Sequence, residues 1–544
     1  MSSKLNSSHL SEQTPLSHSP SRSYRRGSLQ HSPERHGHPP SRLPKRVRTI
    51  FFTMGAAVLL SWNVLITATP YFLTRLRDSA FEKTFPSYLS VSFTSLLFLC
   101  LAKATVTSNP SSSASRIQHA IILTISMLLL FAISPLLPIK DGAPFFVFVI
   151  INSAIQASSS GYLQSAVVGV AALFGPQAMQ VYFTGQSAVG IVVSVVQYVT
   201  AAISLRSEEE GEVRAGKPLI GLQPFRESDG GGLTLFAFIF FGLATVYMIV
   251  SLIAHSALVR SPLYRSVVLF RDQKDDAETI LEVEAPTPDE ISDYGSDVDT
   301  EDDQAFLSRS VELHRQMSSS QLLYDTSNIT WKVAKMNTLY NISVCLIYVV
   351  TLAIFPPITS TILSVNHSQS HFFLSPPLFV SLHFVIFNIG DYIGRDIASP
   401  THLSWWNECL NDPKLLLASI GRLIFVPLFL MCNVNGKASS PHPSIPFINS
   451  DIAYFIVLLL FSISSGYLVN IVMMSATSVE HNRRLRVLVE EAKLMKGGAG
   501  NGTLEVDAAA TVAQFCLIGG LFLGSFMSFG VQSIICGGCN PFYG

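Results

Sequence analysis

Two ionisable side chains at the end of one apolar run give the first sign of chemistry in this sequence. Asn388, Asp391 and Arg395 follow i, i+3, i+7, which places all three on one face of a helix. Asp391 and Arg395 are four apart and can pair along that helix. A charge at the centre of a membrane-spanning helix costs about 2.5 to 3.5 kcal/mol even on insertion-based scales, so a paired face must turn toward protein or a wet interior. As a binding group, the ionised Asp accepts hydrogen bonds from hydroxyls and the guanidinium donates in a fixed fork. As a packing group, the pair fixes one helix against another, and Arg395 can also snorkel to the near interface. His383 and Phe387 extend the stripe in steps of four. An imidazole titrates near neutral pH, so protonation of His383 or Asp391 can be tied to the bound state of a solute.

Two further stripes are polar without being charged. Asn152, Gln156, Ser160 and Gln164 recur every four residues in one apolar run, and Gln186, Gly190, Ser194 and Gln197 mark the next. Such stripes face protein or water, and hydrogen bonding between helices accounts for most of them. Trp62 lies about twelve residues into the first apolar run, away from the interfaces where membrane tryptophans collect, beside Gly55, Leu59, Asn63 and Thr67. A tryptophan at mid-depth is either packing or an aromatic face offered to a flat ligand.

The elements that must position these residues follow from hydropathy. The chain has 544 residues, of which 48% are hydrophobic and only 13% charged. It cannot cover itself with polar surface and reads as an all-α polytopic membrane protein. Eleven apolar runs of spanning length lie at 50–72, 87–104, 117–138, 144–171, 178–205, 233–255, 339–361, 372–394, 415–434, 452–474 and 508–532. Pro70, Pro135, Pro356, Pro357 and Pro427, inside or at the ends of these runs, predict kinked helices. Four segments are expected. They are a disordered basic tail at 1–48, a bundle of six helices at 49–258, a disordered acidic loop at 259–335, and a bundle of five helices at 336–544. With the amino terminus cytoplasmic, the inward-facing segments collect 26 Lys and Arg against 9 outside, which sets the orientation and places the carboxyl terminus outside or in a lumen.

A net charge of -1 gives no bulk basic excess, so a nucleic-acid partner is not expected. The cysteine spacings fit no zinc site, and Cys536 with Cys539, on the outer side, can be a disulfide or two thiols. No nucleotide-binding P-loop, HExxH or GxSxG pattern appears, so neither a resident ATPase nor an enzyme is expected, and no cofactor or metal. Of the N-x-S/T sequons, Asn366 alone falls on the outer side, with Asn6, Asn328 and Asn501 inside and Asn341 within a span. Sequence leaves plasma membrane and vacuolar or lysosomal membrane equally open. A monomer in the bilayer is expected.

The first run reads Gly55-Ala56-Ala57-Val58-Leu59-Leu60-Ser61-Trp62-Asn63 and continues to Thr67-Ala68-Thr69-Pro70-Tyr71-Phe72. Asn152, Leu163-Gln164 and Gly185-Gln186 follow in order, then Phe355-Pro356 and Phe387-Asn388-Ile389-Gly390-Asp391-Tyr392-Ile393-Gly394-Arg395. Arg422, Phe425-Val426-Pro427, Cys432-Asn433 and Gly466-Tyr467 complete the set. This ordered set resembles the equilibrative nucleoside transporter family over nearly all the membrane part. The resemblance implies a major-facilitator-like arrangement of six plus five helices around a cavity that opens alternately to either side. It implies that Leu59, Trp62 and Gln164 line the base-binding part and that Asp391 and Arg395 hold the ribose. Asn63 and Asn388, on the same stripes, join them as candidate substrate contacts. The chemistry agrees, since a Trp face suits a nucleobase and a Gln amide meets a base edge with a donor and an acceptor. Ser61 stands where the motif has proline and Tyr392 where it has tryptophan, which leaves purine against pyrimidine preference undecided. The expected function is alternating-access transport of nucleosides, with nucleobases also considered, either facilitative or linked to protons. A carrier of another small polar solute, or a scaffold recruiting partners through the acidic loop, are the alternatives.

Overall fold

The computed structural model describes residues 43–134 apart from 78, 80 and 83, then 142–215, 230–269, 326–365, 372–402, 412–434, 447–495 and 502–535. Eleven helices among them are long and apolar enough to cross a membrane. They are α1 (Lys45–Thr67), α2 (Phe85–Val106), α3 (Ser113–Ile133), α4 (Gly142–Leu173), α5 (Pro176–Ala215), α6 (Gly230–Val259), α7 (Thr338–Ile354), α8 (Pro376–Ile397), α9 (Pro413–Leu430), α10 (Asp451–Thr477) and α11 (Thr503–Ile535). In hydrocarbon every backbone N–H and C=O must be satisfied within the segment, which is why apolar runs of this length fold as helices.

Proline breaks the regularity where the sequence places it. α1 stops at Thr67, and Pro70 sits in the first turn of a short helix, Thr69–Arg75. α1 itself runs unbroken through Ser61, as the missing proline predicts. α9 is interrupted by a 3₁₀ turn at Arg422–Ile424 just before Pro427, and α7 ends ahead of Pro356.

The helices pair in a pattern that repeats after six. α1 packs on α5, α2 on α4 and α3 on α6, and in the second bundle α7 packs on α11 and α8 on α10. The pair α3 and α6 has no counterpart, so α9 leans on α7 instead. The bundles meet along two seams, α5 with α8 and α11 with α4 and α2; the shift of six exchanges the pair α5 and α8 with α11 and α2. Glycine sets the closest approaches. A Cβ at Gly185 of α5 would strike the Phe52 carbonyl of α1, and a Cβ at Gly466 of α10 would strike the backbone carbonyl of Asp391. The core of the first bundle is aromatic, with Tyr71, Phe72, Phe131, Phe145 and Phe241 in mutual contact. Val192, Ile203, Leu243 and Ile253 remain exposed and form part of the lipid-facing belt.

The segments outside the spans hold more structure than their composition suggests. α1 begins at Lys45, inside the segment expected as tail. The loop expected to be unstructured is helical at both described ends: Pro262–Tyr264 runs into a π turn at Arg265–Leu269, and residues 326–336 form a helix leading into α7. Lys332 of that helix pairs at 3.1 Å with Glu491 of the surface helix Arg483–Met495. Asn482 caps the surface helix by accepting from the Arg484 and Leu485 amides at 3.2 and 3.1 Å. The rest of the tail and of the acidic loop, the sequons at Asn6, Asn366 and Asn501, and Cys536 with Cys539 lie outside the described residues.

Candidate functional site

α8 brings Asp391 and Arg395 together as its spacing requires. Nε of Arg395 stands 2.9 Å from Oδ2 of Asp391, and both residues are buried. Four other helices contribute to the pair or its setting. From α5, Ser187 Oγ donates to the same Asp391 oxygen at 2.6 Å, and the Phe183 carbonyl accepts from Arg395 Nη1 at 3.1 Å. From α7, the Tyr348 hydroxyl accepts from Arg395 Nη2 at 3.1 Å. From α10, Asn470 Nδ2 donates at 2.7 Å to the Arg395 backbone carbonyl. From α9, Arg422 adds a second buried guanidinium nearby, which donates to the Ile347 carbonyl at 2.7 Å and to Thr351 Oγ1 at 2.9 Å and lies 4.7 Å from the Phe461 ring centroid. Among the described residues no carboxylate pairs with Arg422. The neighbourhood therefore holds one carboxylate and two guanidinium groups, a net positive charge that partial negative oxygens of a polar solute would offset.

Asn388 lies one turn from the pair. Its Nδ2 donates to the Phe384 carbonyl of its own helix at 2.8 Å, and its Oδ1 faces Gly190 of α5, where a Cβ would collide with it. Phe183, Ser187 and Gly190 of α5 thus meet Arg395, Asp391 and Asn388 of α8 in turn, and Gln180 continues the register by donating to the Asp396 carbonyl at 2.9 Å.

The α1 residues have other partners. Trp62 is half-buried, with its ring centroid 4.8 Å from that of Phe93 on α2. Leu59 and Asn63 are half-buried beside it, and Asn63 Nδ2 donates to the Leu59 carbonyl at 2.8 Å. Gln164 of α4 is buried, and its Oε1 accepts from Nε2 of Gln514 on α11 at 3.1 Å. Asn152 and Gln156 of the same stripe are structural: Asn152 Nδ2 donates to the Met127 carbonyl of α3 at 3.1 Å, and Gln156 Nε2 donates to Asn152 Oδ1 at 2.7 Å. His383 is buried and separate from Asp391. Its ring lies 4.8 Å from Phe379, 4.9 Å from Tyr454 and 5.8 Å from Phe455, and the Thr359 backbone approaches it. Two steps of four rotate about 80° around a helix, so the stripe that joined the two residues in sequence turns His383 toward α10.

Ser187, Tyr348, Asn470, Gln514 and Asp507 escaped the sequence reading. Asp507 had a signal, since it abuts the last apolar run. α11 in fact begins at Thr503 and buries it, with Ser108 Oγ donating to its Oδ2 at 2.6 Å. Gln514 also had one, being an amide inside an apolar run. Ser187 and Tyr348 had none, because their role exists only through a neighbouring helix.

Comparison with known proteins agrees with this architecture. A family model described as nucleoside transporter matches residues 149–487, across parts of both bundles. Human equilibrative nucleoside transporter 1 is 26% identical over 534 residues, covering 92% of this chain and 99% of that protein. Rat equilibrative nucleoside transporter 2 is 26% identical over 460 residues, covering 80% and 91%. Among solved structures, the major facilitator superfamily proton:xylose symporter XylE bound to 6-bromo-6-deoxy-D-glucose superposes with a TM-score of 0.50 at 12% identity, covering 90% of this chain and 88% of that one, and shares the fold. With more than half its length matched by the family model and the six-plus-five helical layout in place, the chain belongs to the nucleoside transporter family.

Proposed function

We propose that this chain carries nucleosides across a membrane by alternating access, with Asp391 and Arg395 recognising the ribose and with Leu59, Trp62 and Gln164 meeting the base. The observation that supports it most is the buried Asp391 and Arg395 pair placed on a seam between bundles rather than inside one. A pair serving only to hold α8 would be satisfied within its own bundle. Here two of its partners, Ser187 and Phe183, come from the other half of the molecule, so relative movement of the halves changes the environment of the pair. In the arrangement with the seam apart, the Asp391 oxygens would be free to accept from sugar hydroxyls and the guanidinium to donate to ring or hydroxyl oxygens. Asn63 and Asn388, whose amide nitrogens are engaged with their own helices, keep their oxygens available as acceptors. The basic residues near the start of α1 and around the surface helix favour a cytoplasmic amino terminus.

Purified protein in liposomes, loaded from outside with labelled uridine or adenosine, tests the reading. Saturable uptake that the unlabelled nucleoside competes and that glucose or alanine does not is the expected result. A scaffold would give no saturable flux, and a carrier of other solutes would be competed by them instead. The same preparation with and without an inward proton gradient separates facilitated diffusion from proton linkage.

A further inference from the structure

Gln514 is a buried amide of α11 that faces the other bundle, and its two ends are treated differently. Nε2 donates to Gln164 Oε1 at 3.1 Å across the contact between α11 and α4, while Oε1 of Gln514 is buried and has no hydrogen-bond partner. The neighbours one and two turns earlier on α11 also bond to the first bundle: the Thr511 carbonyl accepts from Thr105 Oγ1 at 3.4 Å, and Asp507 Oδ2 accepts from Ser108, while Asp507 Oδ1 has no partner. A simple clasp between halves would need only an Nε2 donor. An acceptor held in hydrocarbon without a donor loses more than an ordinary hydrogen bond gains, so a clasp alone leaves the cost of the Gln514 oxygen unaccounted for. The bond to Gln514 also orients the Gln164 amide, because it occupies Oε1 and leaves Nε2 as the end able to donate.

Resting on the reading of Gln164 as a base contact, we infer that Gln514 is a specificity-determining residue whose Oε1 accepts an N–H of the nucleobase. Gln164 and Gln514 together would offer one donor and one acceptor. Uracil answers with O4 and N3–H, and adenine with a ring nitrogen and N6–H. A site built around a substrate N–H rejects the analogue lacking it, because the buried acceptor is left unpaired.

The test uses the full chain in liposomes and three competitors of labelled uridine uptake. Unlabelled uridine is the reference, 3-methyluridine lacks the N3–H, and 5-methyluridine carries a methyl group elsewhere but keeps that N–H. In the wild type, 3-methyluridine is expected to compete about tenfold more weakly than uridine, with 5-methyluridine close to uridine. In Gln514→Met the uridine KM should rise about tenfold and the preference over 3-methyluridine should fall toward one. A change of stability alone, with the preference intact, would show a clasp and overturn the proposal. Equal competition by uridine and 3-methyluridine in the wild type overturns it without any variant, and Gln514→Asn, with its oxygen withdrawn by one methylene, repeats the test should the Met variant fail to insert. Absence of saturable uptake for every nucleoside would refute the carrier reading itself, and a Gln164→Ala variant with unchanged KM would refute the assignment of Gln164. Both outcomes are distinguishable from loss of the Gln514 effect.

Discussion

Neutralising Asp391 separates binding from packing more sharply than any other change. In Asp391→Asn the amide oxygen can still accept from the Ser187 hydroxyl and Arg395, but the buried guanidinium loses its counter-charge and keeps only neutral partners, the Phe183 carbonyl and the Tyr348 hydroxyl among them. Removing one partner of a buried pair costs about 3 to 5 kcal/mol. If that were felt wholly in the transport cycle, uptake would fall by about a hundredfold to a few thousandfold. Loss of uptake alone cannot tell whether the carboxylate meets substrate or merely neutralises Arg395. The double variant Asp391→Asn with Arg395→Met can, because it removes the unpaired charge along with the pair, and replacing a buried ion pair by apolar groups is often neutral for stability. The single variant is therefore expected to melt lower in detergent and to lose uptake, while the double variant recovers melting close to wild type and still fails to transport. Melting is followed by fluorescence on the purified protein, and uptake is scaled to the amount inserted in liposomes. Recovery of uridine uptake by the double variant would refute the reasoning, since the pair would then be a packing device with no part in recognising ribose.

Ser187→Ala removes one bond to a charged acceptor, worth about 1.5 to 3 kcal/mol, and because that bond closes the seam and occupies the Asp391 oxygen, the variant is expected to insert normally and to lower the KM for uridine; initial-rate uptake across a concentration series measures it. Gly466→Leu should abolish insertion or folding, because the side chain collides with the Asp391 backbone carbonyl, and surface-labelling yield against wild type is the readout. Trp62→Ala is expected to raise the KM for adenosine about fivefold or more through lost stacking, with Trp62→Phe intermediate, as judged by competition with labelled adenosine. With His383 as a coupling group, an inward proton gradient speeds uridine entry and His383→Gln removes the acceleration while exchange persists; an equal acceleration in the variant passes the role to Asp391, and none in the wild type makes the carrier purely facilitative.

Hydropathy made the spans legible because membrane insertion reads the same quantity, and eleven runs became eleven helices. The Asp391 and Arg395 contact was legible for a related reason, since a spacing of four is a local geometry fixed by the helix itself. What lay hidden was set by other helices. Ser187 is 204 positions from Asp391 and Gln514 is 350 from Gln164, distances over which periodicity carries no information. The same limit explains His383: its place on the stripe was correct, but the accumulated rotation turned it toward Tyr454 and Phe455. Boundaries failed where a charge looked too costly to include. Excluding Asp507 from the last span ignored that Ser108 could satisfy it, and composition hid the helix at 326–336, which Lys332 ties to Glu491.

Several polar groups of this protein lie on the contacts between its halves, and the energetics of a bilayer explain why that suits a carrier. Lipid is as apolar as leucine, so helix association gains little from burying hydrophobic surface, and hydrogen bonds between helices average about 0.6 kcal/mol. Gln180, Ser187 and Arg395 form three such bonds between α5 and α8, and Thr105, Ser108 and Gln514 form three between α11 and α2, the turn after it, or α4. At that average the set is worth about 4 kcal/mol, with the bonds to charged groups contributing more. Binding a solute at a dissociation constant of about 1 mM releases a similar free energy. On the proposed function, the halves are held firmly enough to occupy one arrangement and weakly enough for a nucleoside that replaces those bonds to shift the population toward another.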